Sequence, residues 1–297
     1  MDKKRIGVIG LDALHAVELT KSISSGRIKD SALFSVVAAF PKGSKTLEYR
    51  IKNVPKYTQQ MRDMGVEIVD SIEHLLKMVD YIILTSNDGH VHLEQALEVM
   101  KAGKPMFIDK PLAGNWDDAV AIVKAAEKYN VPVFSSSSLR FNDSILALKE
   151  HDLGDILGAH TFSPASLEPN LPELLWYGVH GIEMLFAIMG ADCKAVKRIS
   201  TPDFDYLIGF WNDGRIGTFR GFRNGASGFG GFVLGSKNNL EIGKFGGYDN
   251  LAAAILQFFK TGIAPVSLQE TLKIIAFTIA ADRSKQTNGE LISLQNI

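Results

Sequence analysis

Residues 81–113 read Tyr81-Ile-Ile-Leu-Thr-Ser86-Asn87-Asp-Gly-His90-Val-His92-Leu-Glu94-Gln-Ala-Leu-Glu-Val-Met100-Lys-Ala-Gly103-Lys-Pro-Met-Phe-Ile-Asp109-Lys110-Pro111-Leu-Ala113, and this stretch decides the fold. An apolar run at Tyr81–Thr85 is followed by an amphipathic one, with Val91, Ala96, Leu97, Val99 and Met100 on its apolar face. That face stops at Gly103, a helix-end signal. A second apolar run, Pro105–Asp109, then ends in charge. Two strands apolar on both faces, joined by a helix, form the repeating unit of a parallel sheet covered on both sides. The alternation continues outward. Further strand-like runs lie at Arg5–Gly10, Leu33–Ala39, Glu67–Asp70 and Val131–Phe134. Helical patterns separate them: Val17 to Ser24 ended by Gly26, Ile72 to Val79 after Asp70 and Ser71, and Ala119 to Ala126 after Asn115. The expectation is a doubly wound α/β domain.

Beyond about residue 140 the texture changes. Strand-like runs at Gly158–Ala165, Ala195–Ser200, Asp205–Trp211, Arg215–Phe222, Gly230–Leu234 and Asn239–Ile242 are joined by turns such as Asn212-Asp213-Gly214. Direct turns of that kind make antiparallel hairpins. Helical patterns cover Pro172–Met189, Tyr248–Thr261 and Leu268–Lys285. These elements make an α+β domain on one open, mostly antiparallel sheet. A chain of 297 residues is about two domains long. The boundary falls between Pro111 and Arg140, giving domains 1–122 and 123–297.

Composition bounds the partners. Apolar residues make up 46% and charged residues 22%, and Lys+Arg 32 against Asp+Glu 33 leaves a net charge of −1, without the basic surplus of a nucleic-acid binder. No apolar run approaches the ~18 residues of a membrane span, and the first ten residues lack the pattern of a signal peptide. A single cysteine, Cys193, excludes an internal disulfide framework and fits a reducing compartment. The expected setting is cytoplasmic, with no membrane and no nucleic acid as partner.

The first strand-to-helix turn reads Gly7-Val-Ile-Gly10-Leu11-Asp12-Ala-Leu-His15. A Rossmann dinucleotide fingerprint places glycines at its first, third and sixth positions, for the tight turn, the pyrophosphate approach and helix packing. Gly10 fills the first; Asp12 and His15 occupy the others. A carboxylate about 5 Å from a phosphate, at an effective dielectric near 20, costs roughly 3 kcal/mol. The alternative is that Asp12 caps the helix. At the end of the second strand, where an acid normally holds the adenosine ribose, stand Phe40-Pro41-Lys42-Gly43-Ser44-Lys45. Two lysines there suit the 2′-phosphate of NADP, or else a solvated turn.

The segment from Tyr81 to Leu112 resembles the glucose–fructose oxidoreductase / inositol dehydrogenase (Gfo/Idh/MocA) family, which carries Thr-x-Asn-x-x-His, a helix, Ala-Gly-Lys-x-Val and then Glu-Lys-Pro. Asn87, His90 or His92, Ala102-Gly103-Lys104 and Asp109-Lys110-Pro111 fill those places. The resemblance continues through Leu139-Arg140-Phe141, Gly178-Val-His180-Gly-Ile-Glu183, the segment from Thr261 to Ser267, and Ala280–Ser284. It implies an N-terminal Rossmann-like domain whose substrate cleft is closed by the C-terminal sheet. The implied reaction is NAD(P)-dependent hydride transfer with the secondary alcohol or ketone of a sugar, polyol or related small molecule. NADP or NAD would contact Gly10, Leu11, Asp12, Lys42, Ser44, Ser86, Asn87, His92, Asp109 and Lys110. Lys110 and His180 would be catalytic, while Arg140, Trp176 and Glu183 would face the substrate.

The chemistry is sound for those residue types. A lysine at a strand's carboxyl end stabilises a developing oxyanion, and histidine exchanges protons near neutrality. Pro111 should keep Lys110 extended and exposed. Two departures stand out: Asp109 for the family's glutamate, and Trp176 for its aspartate four residues before His180, for which Glu183 is a substitute. His90, His92 and Glu94 lack metal-ligand spacing, so no metal is expected, and Ser135–Ser138 should line the cleft. Resemblance also implies a homodimer or homotetramer through the C-terminal sheet. The alternatives are a degenerate, non-catalytic nucleotide or metabolite sensor, and an enzyme that uses its nicotinamide internally for elimination or glycoside cleavage.

Overall fold

Six parallel strands run in the order β3-β2-β1-β4-β5-β6: β1 (Lys4–Ile9), β2 (Phe34–Phe40), β3 (Glu67–Ile68), β4 (Tyr81–Leu84), β5 (Met106–Asp109) and β6 (Val133–Ser136). The computed structural model describes residues 2–297. Register is continuous through the centre, with Ile6 opposite Tyr81, Ile82 opposite Met106, and Met106 opposite Val133. Every residue of β5 and β6 is buried, as a sheet covered on both faces requires. Local signals set the helices. Ser71 accepts from the His74 amide at the start of helix Ile72–Met78, Asn115 does the same for Asp118 ahead of Trp116–Tyr129, and Gly26 takes a left-handed φ beyond Leu14–Ser24. Helix Val54–Asp63 was not anticipated from the sequence.

The expected boundary at residue 122 is corrected. The N-terminal unit runs to Ser136 and also takes Gly247–Leu268; the C-terminal unit is Ser137–Gly246 with Gln269–Ile297. The physical reason is twofold. β6 completes the parallel sheet by pairing with β5. Helix Asp249–Thr261 returns to the first unit, where Phe259 stacks on Tyr81 at 4.6 Å and Phe258 meets Phe134 edge-on at 4.9 Å. Its first residue, Asp249, accepts from Ser22 Oγ at 2.6 Å and pairs with Arg27.

The C-terminal unit is built on seven strands in the order β12-β11-β7-β10-β9-β8-β13: β7 (Ile156–Pro164), β8 (Cys193–Ser200), β9 (Phe204–Trp211), β10 (Ile216–Phe222), β11 (Gly230–Gly235), β12 (Asn239–Gly243) and β13 (Ile292–Ser293). All pairs are antiparallel except β7 with β10, which are parallel. The two-residue β13 is too short to show in the sequence. Gly178 divides the expected helix Pro172–Met189 into Glu173–Trp176 and Val179–Met189. The second of these is buried almost all round and packs against β7 and β10.

Candidate active site

Strand order reverses between β1 and β4, and in open α/β sheets the crevice beyond such a point receives the ligand. The first turn lies there. Gly10 adopts φ +87°, and a Cβ at this position would lie 2.5 Å from the Ser86 amide nitrogen, so only glycine fits. Its amide donates to Phe40 O, and the Leu11 amide to Pro41 O, which ties the turn to the end of β2.

Asp12 is fully buried and does not cap the helix, whose N-cap is Ala13 with no side-chain bond. That corrects the capping expectation. Its carboxylate instead accepts from the Ser44 amide at 3.0 Å, from the Ser44 hydroxyl, and from the Asn87 amide at 3.2 Å. One carboxylate therefore joins the loops after β1, β2 and β4. Gly43 passes so close that a Cβ there would strike Asp12 Oδ1. Ser86 donates to Gln95 at 2.7 Å. Beside this node the Asn87 side-chain amide nitrogen is buried without a hydrogen-bond partner.

His15, at the sixth fingerprint position, reaches the end of β5, where Nδ1 lies 2.5 Å from Asp109 Oδ2. Burial would raise the Asp109 carboxyl, but the His15 charge and hydrogen bond, with Lys110 and His92 behind them, hold it below the usual carboxylate range. Lys110 follows, joined to Pro111 by a cis peptide bond, and it is 7% exposed. The expected exposed lysine is thus a buried one. Burial pushes its amine below the ordinary lysine value against the pull of Asp109, and Arg50 adds to the lowering.

Other expected ligands are engaged within the protein. His92 is fully buried, with Nε2 2.7 Å from Ser86 O and Nδ1 2.9 Å from Pro111 O, so its ring ties β4 to the segment after β5 instead of facing a ligand. His90 pairs with Asp88, and Glu94 pairs with Lys45 at the surface. No group of three or more His, Cys, Asp or Glu among the described residues is arranged to hold a metal. A cavity of about 610 Å³ opens beyond β2, lined by Phe40, Lys42, Gly43, Ser44, Ile72 and Gln95 among others. Its rim carries Asp70, Glu73, Glu94 and Glu98 against Lys42 and Lys45. Within this lining Glu94 pairs with Lys45.

In the C-terminal unit, His180 lies on helix Val179–Met189 with Nδ1 2.6 Å from Ser137 Oγ. Tyr177 and Phe229 present ring edges to it at 5.1 and 6.0 Å. The three residues expected at the substrate have structural employment. Arg140 bonds Glu183 at 2.8 Å and Glu270 at 2.5 Å within a buried ion-pair cluster, so neither Arg140 nor Glu183 offers a free charge. Trp176 is buried in the core. Ser137, read from sequence only as lining, is the residue that sequence reasoning missed; its one signal was the run of four serines ending β6.

A parallel sheet with this turn, and a buried lysine after its fifth strand, defines a dinucleotide-binding α/β protein with an appended α+β unit. The Gfo/Idh/MocA model, an oxidoreductase family with an NAD-binding Rossmann fold, matches residues 4–137, just under half of the chain. Myo-inositol 2-dehydrogenase of Thermotoga maritima is 27% identical over 222 residues, 69% of this chain and 60% of that protein. The aligned region thus spans under two thirds of that relative's length. The solved structure of a probable dehydrogenase from Thermotoga maritima matches 99% of both chains with a TM-score of 0.80 at 19% identity. Scyllo-inositol dehydrogenase from Lactobacillus casei, solved with NAD(H) and scyllo-inositol, matches 99% of this chain and 100% of its own with a TM-score of 0.78 at 15% identity. These likenesses establish the fold.

Proposed function

We propose that the protein is an NAD(P)-dependent dehydrogenase or reductase that moves hydride between a nicotinamide and a secondary alcohol or ketone of a sugar, polyol or related small molecule. One observation carries this reading: Lys110 is buried at the carboxyl edge of the parallel sheet, its amine weakened by desolvation, beside an Asp109 that His15 pins. A buried amine at a ligand-binding edge is costly to keep for structure alone and suits an oxyanion donor.

The residues fit a dinucleotide. The cavity beyond β2 accommodates an adenosine, the buried Asn87 amide nitrogen lacks a partner, and helix Leu14–Ser24 begins without a side-chain cap. Gly10, Leu11, Ser44, Ser86 and Asn87 would hold it. When bound it supplies the hydride acceptor. Lys110 donates a hydrogen bond to the alcohol oxygen and steadies its developing charge, and His180 exchanges the hydroxyl proton. The acidic rim favours NAD over NADP, because a 2′-phosphate would meet four carboxylates.

A second reading, a non-catalytic nucleotide or metabolite sensor, is favoured by Asp12, which puts a carboxylate where the fingerprint leaves room for pyrophosphate. Assembly through the open face of the seven-stranded sheet completes the proposal. Ile199, Ile216, Phe232 and Leu234 stand exposed on its strands, with Tyr206, Ile208 and Phe210 half-buried. No described helix is long and apolar enough to cross a membrane. Burial pushes the Cys193 thiol up to about 12, so it stays protonated; the single cysteine is compatible with a cytoplasmic chain.

The test is calorimetric titration with NAD, NADP and their reduced forms, followed by a cyclic-polyol and sugar screen read by nicotinamide absorbance. Turnover should appear in the wild type and fall about 10²–10³-fold in Lys110→Met. Nucleotide binding with no turnover on any secondary alcohol would overturn the dehydrogenase reading in favour of the sensor. Full turnover in Lys110→Met would remove the lysine from the mechanism.

A further inference from the structure

We propose that Ser137 is the positioning residue of His180: its hydroxyl, 2.6 Å from Nδ1, holds the imidazole so that Nε2 is the nitrogen that exchanges the proton. The inference rests on the acid–base role given to His180 above. The position four residues before the histidine, where a helix would place an orienting carboxylate on the same face, is Trp176, buried in the core. Glu183, one turn beyond, is bound to Arg140. The orienting group comes instead from a different element.

Ser137 is fully buried and precedes the short helix Ser138–Phe141, whose Leu139 amide donates to its Oγ at 3.2 Å. That bond occupies one oxygen lone pair. The hydroxyl also meets Nδ1, and it can donate or accept there where a carboxylate can only accept. With Nδ1 bare, Oγ–H donates to it and Nε2 carries the proton. With Nδ1 protonated, N–H donates to Oγ and the ring's lone pair lies on Nε2. With Oγ accepting from Nδ1–H, His180 is a base while neutral and an acid once Nε2 has taken a proton to give the imidazolium, so the same bond serves both directions of a reversible hydride transfer.

The mount is rigid. The Ser137 main-chain amide bonds Glu183, so the loop holds His180 through its side chain and Glu183 through its backbone, two points one turn apart on a single helix. Arg140 adds a third tie three residues on. Ring edges of Tyr177 and Phe229 complete the enclosure of the imidazole.

The experiment is ¹⁵N-histidine NMR of the full chain, whose seven histidines give a tractable spectrum, with the His180 signals assigned by His180→Gln. Ser137→Ala should move the His180 Nδ1 resonance, redistribute its tautomers and shift its titration midpoint, while the other six histidines keep their signals. Ser137→Thr should restore the wild-type ring, and Ser137→Cys, similar in size with a weak donor, should fall between. If Ser137→Ala does not fold, the Thr and Cys spectra decide alone. Unchanged His180 signals in the Ala variant, or in Cys where Ala is unfolded, overturn the proposal. This readout needs no substrate, so it can fail while the dehydrogenase reading stands, and the reverse. Where a substrate is found, Ser137→Ala should lower turnover about five- to tenfold with a displaced pH profile and KM little changed.

Discussion

Replacing Asp12 by asparagine removes one oxygen and one charge from a site where every neighbour is a donor. The Ser44 amide and hydroxyl converge on Oδ2, and the Asn87 amide is shared between Oδ1 and Oδ2 at 3.2 and 3.3 Å. An asparagine keeps one acceptor oxygen and turns an NH₂ on the donor that remains. Bonds to a charged acceptor are stronger than neutral ones by about 1 kcal/mol each, and the two Ser44 bonds each lose that much. The Asn87 amide, buried and now facing another donor, adds about 1–3 kcal/mol. Asp12→Asn should therefore destabilise the N-terminal unit by about 3–5 kcal/mol, a fall in Tm of roughly 6–20 °C at ~2–4 °C per kcal/mol. Urea unfolding and calorimetric melting measure both. The same variant should bind NAD about tenfold more tightly, because a charge beside the phosphate approach is gone. A variant within about 0.5 kcal/mol of the wild type would refute the three-loop node. Unchanged affinity would show that the donors fully absorb the carboxylate's charge.

Lys110→Met should leave melting unchanged or raise stability by about 1 kcal/mol, since an apolar side chain of similar length replaces a desolvated ammonium; a fall of several kcal/mol would make the lysine structural. Asp109, held below the ordinary carboxylate range, contributes stability that is fully present above that range and lost as pH falls through its folded-state value. Acid unfolding of Asp109→Asn should accordingly show a shallower limb, and an identical limb would count against the pairing with His15. Phe232→Asp with Ile216→Glu, on the open sheet face, should give a 32.5 kDa species by sedimentation where the wild type is a dimer or tetramer. A monomeric wild type would sink that assembly.

The sequence determined the parallel sheet because strands buried on both faces leave unbroken apolar runs, as at Ile82–Leu84 and Met106–Ile108, and because glycines end the intervening helices. Lys110 was equally legible: it closes the fifth strand, and proline follows it. The antiparallel strands showed through direct turns such as Asn212-Asp213-Gly214. Other features depended on distance in space. Nothing near Asp12 announces Ser44 or Asn87, which lie 32 and 75 residues away and meet it only because three loops share one sheet edge. His15 finds Asp109 across 94 residues, and Ser137 finds His180 across 43. The return of helix Asp249–Thr261 to the first unit is likewise set by the apolar patch around Tyr81 and Phe134. Periodicity is a local property that each segment carries alone. A polar side chain's partner is settled only when the packed sheet brings distant loops together and leaves each buried donor to find an acceptor.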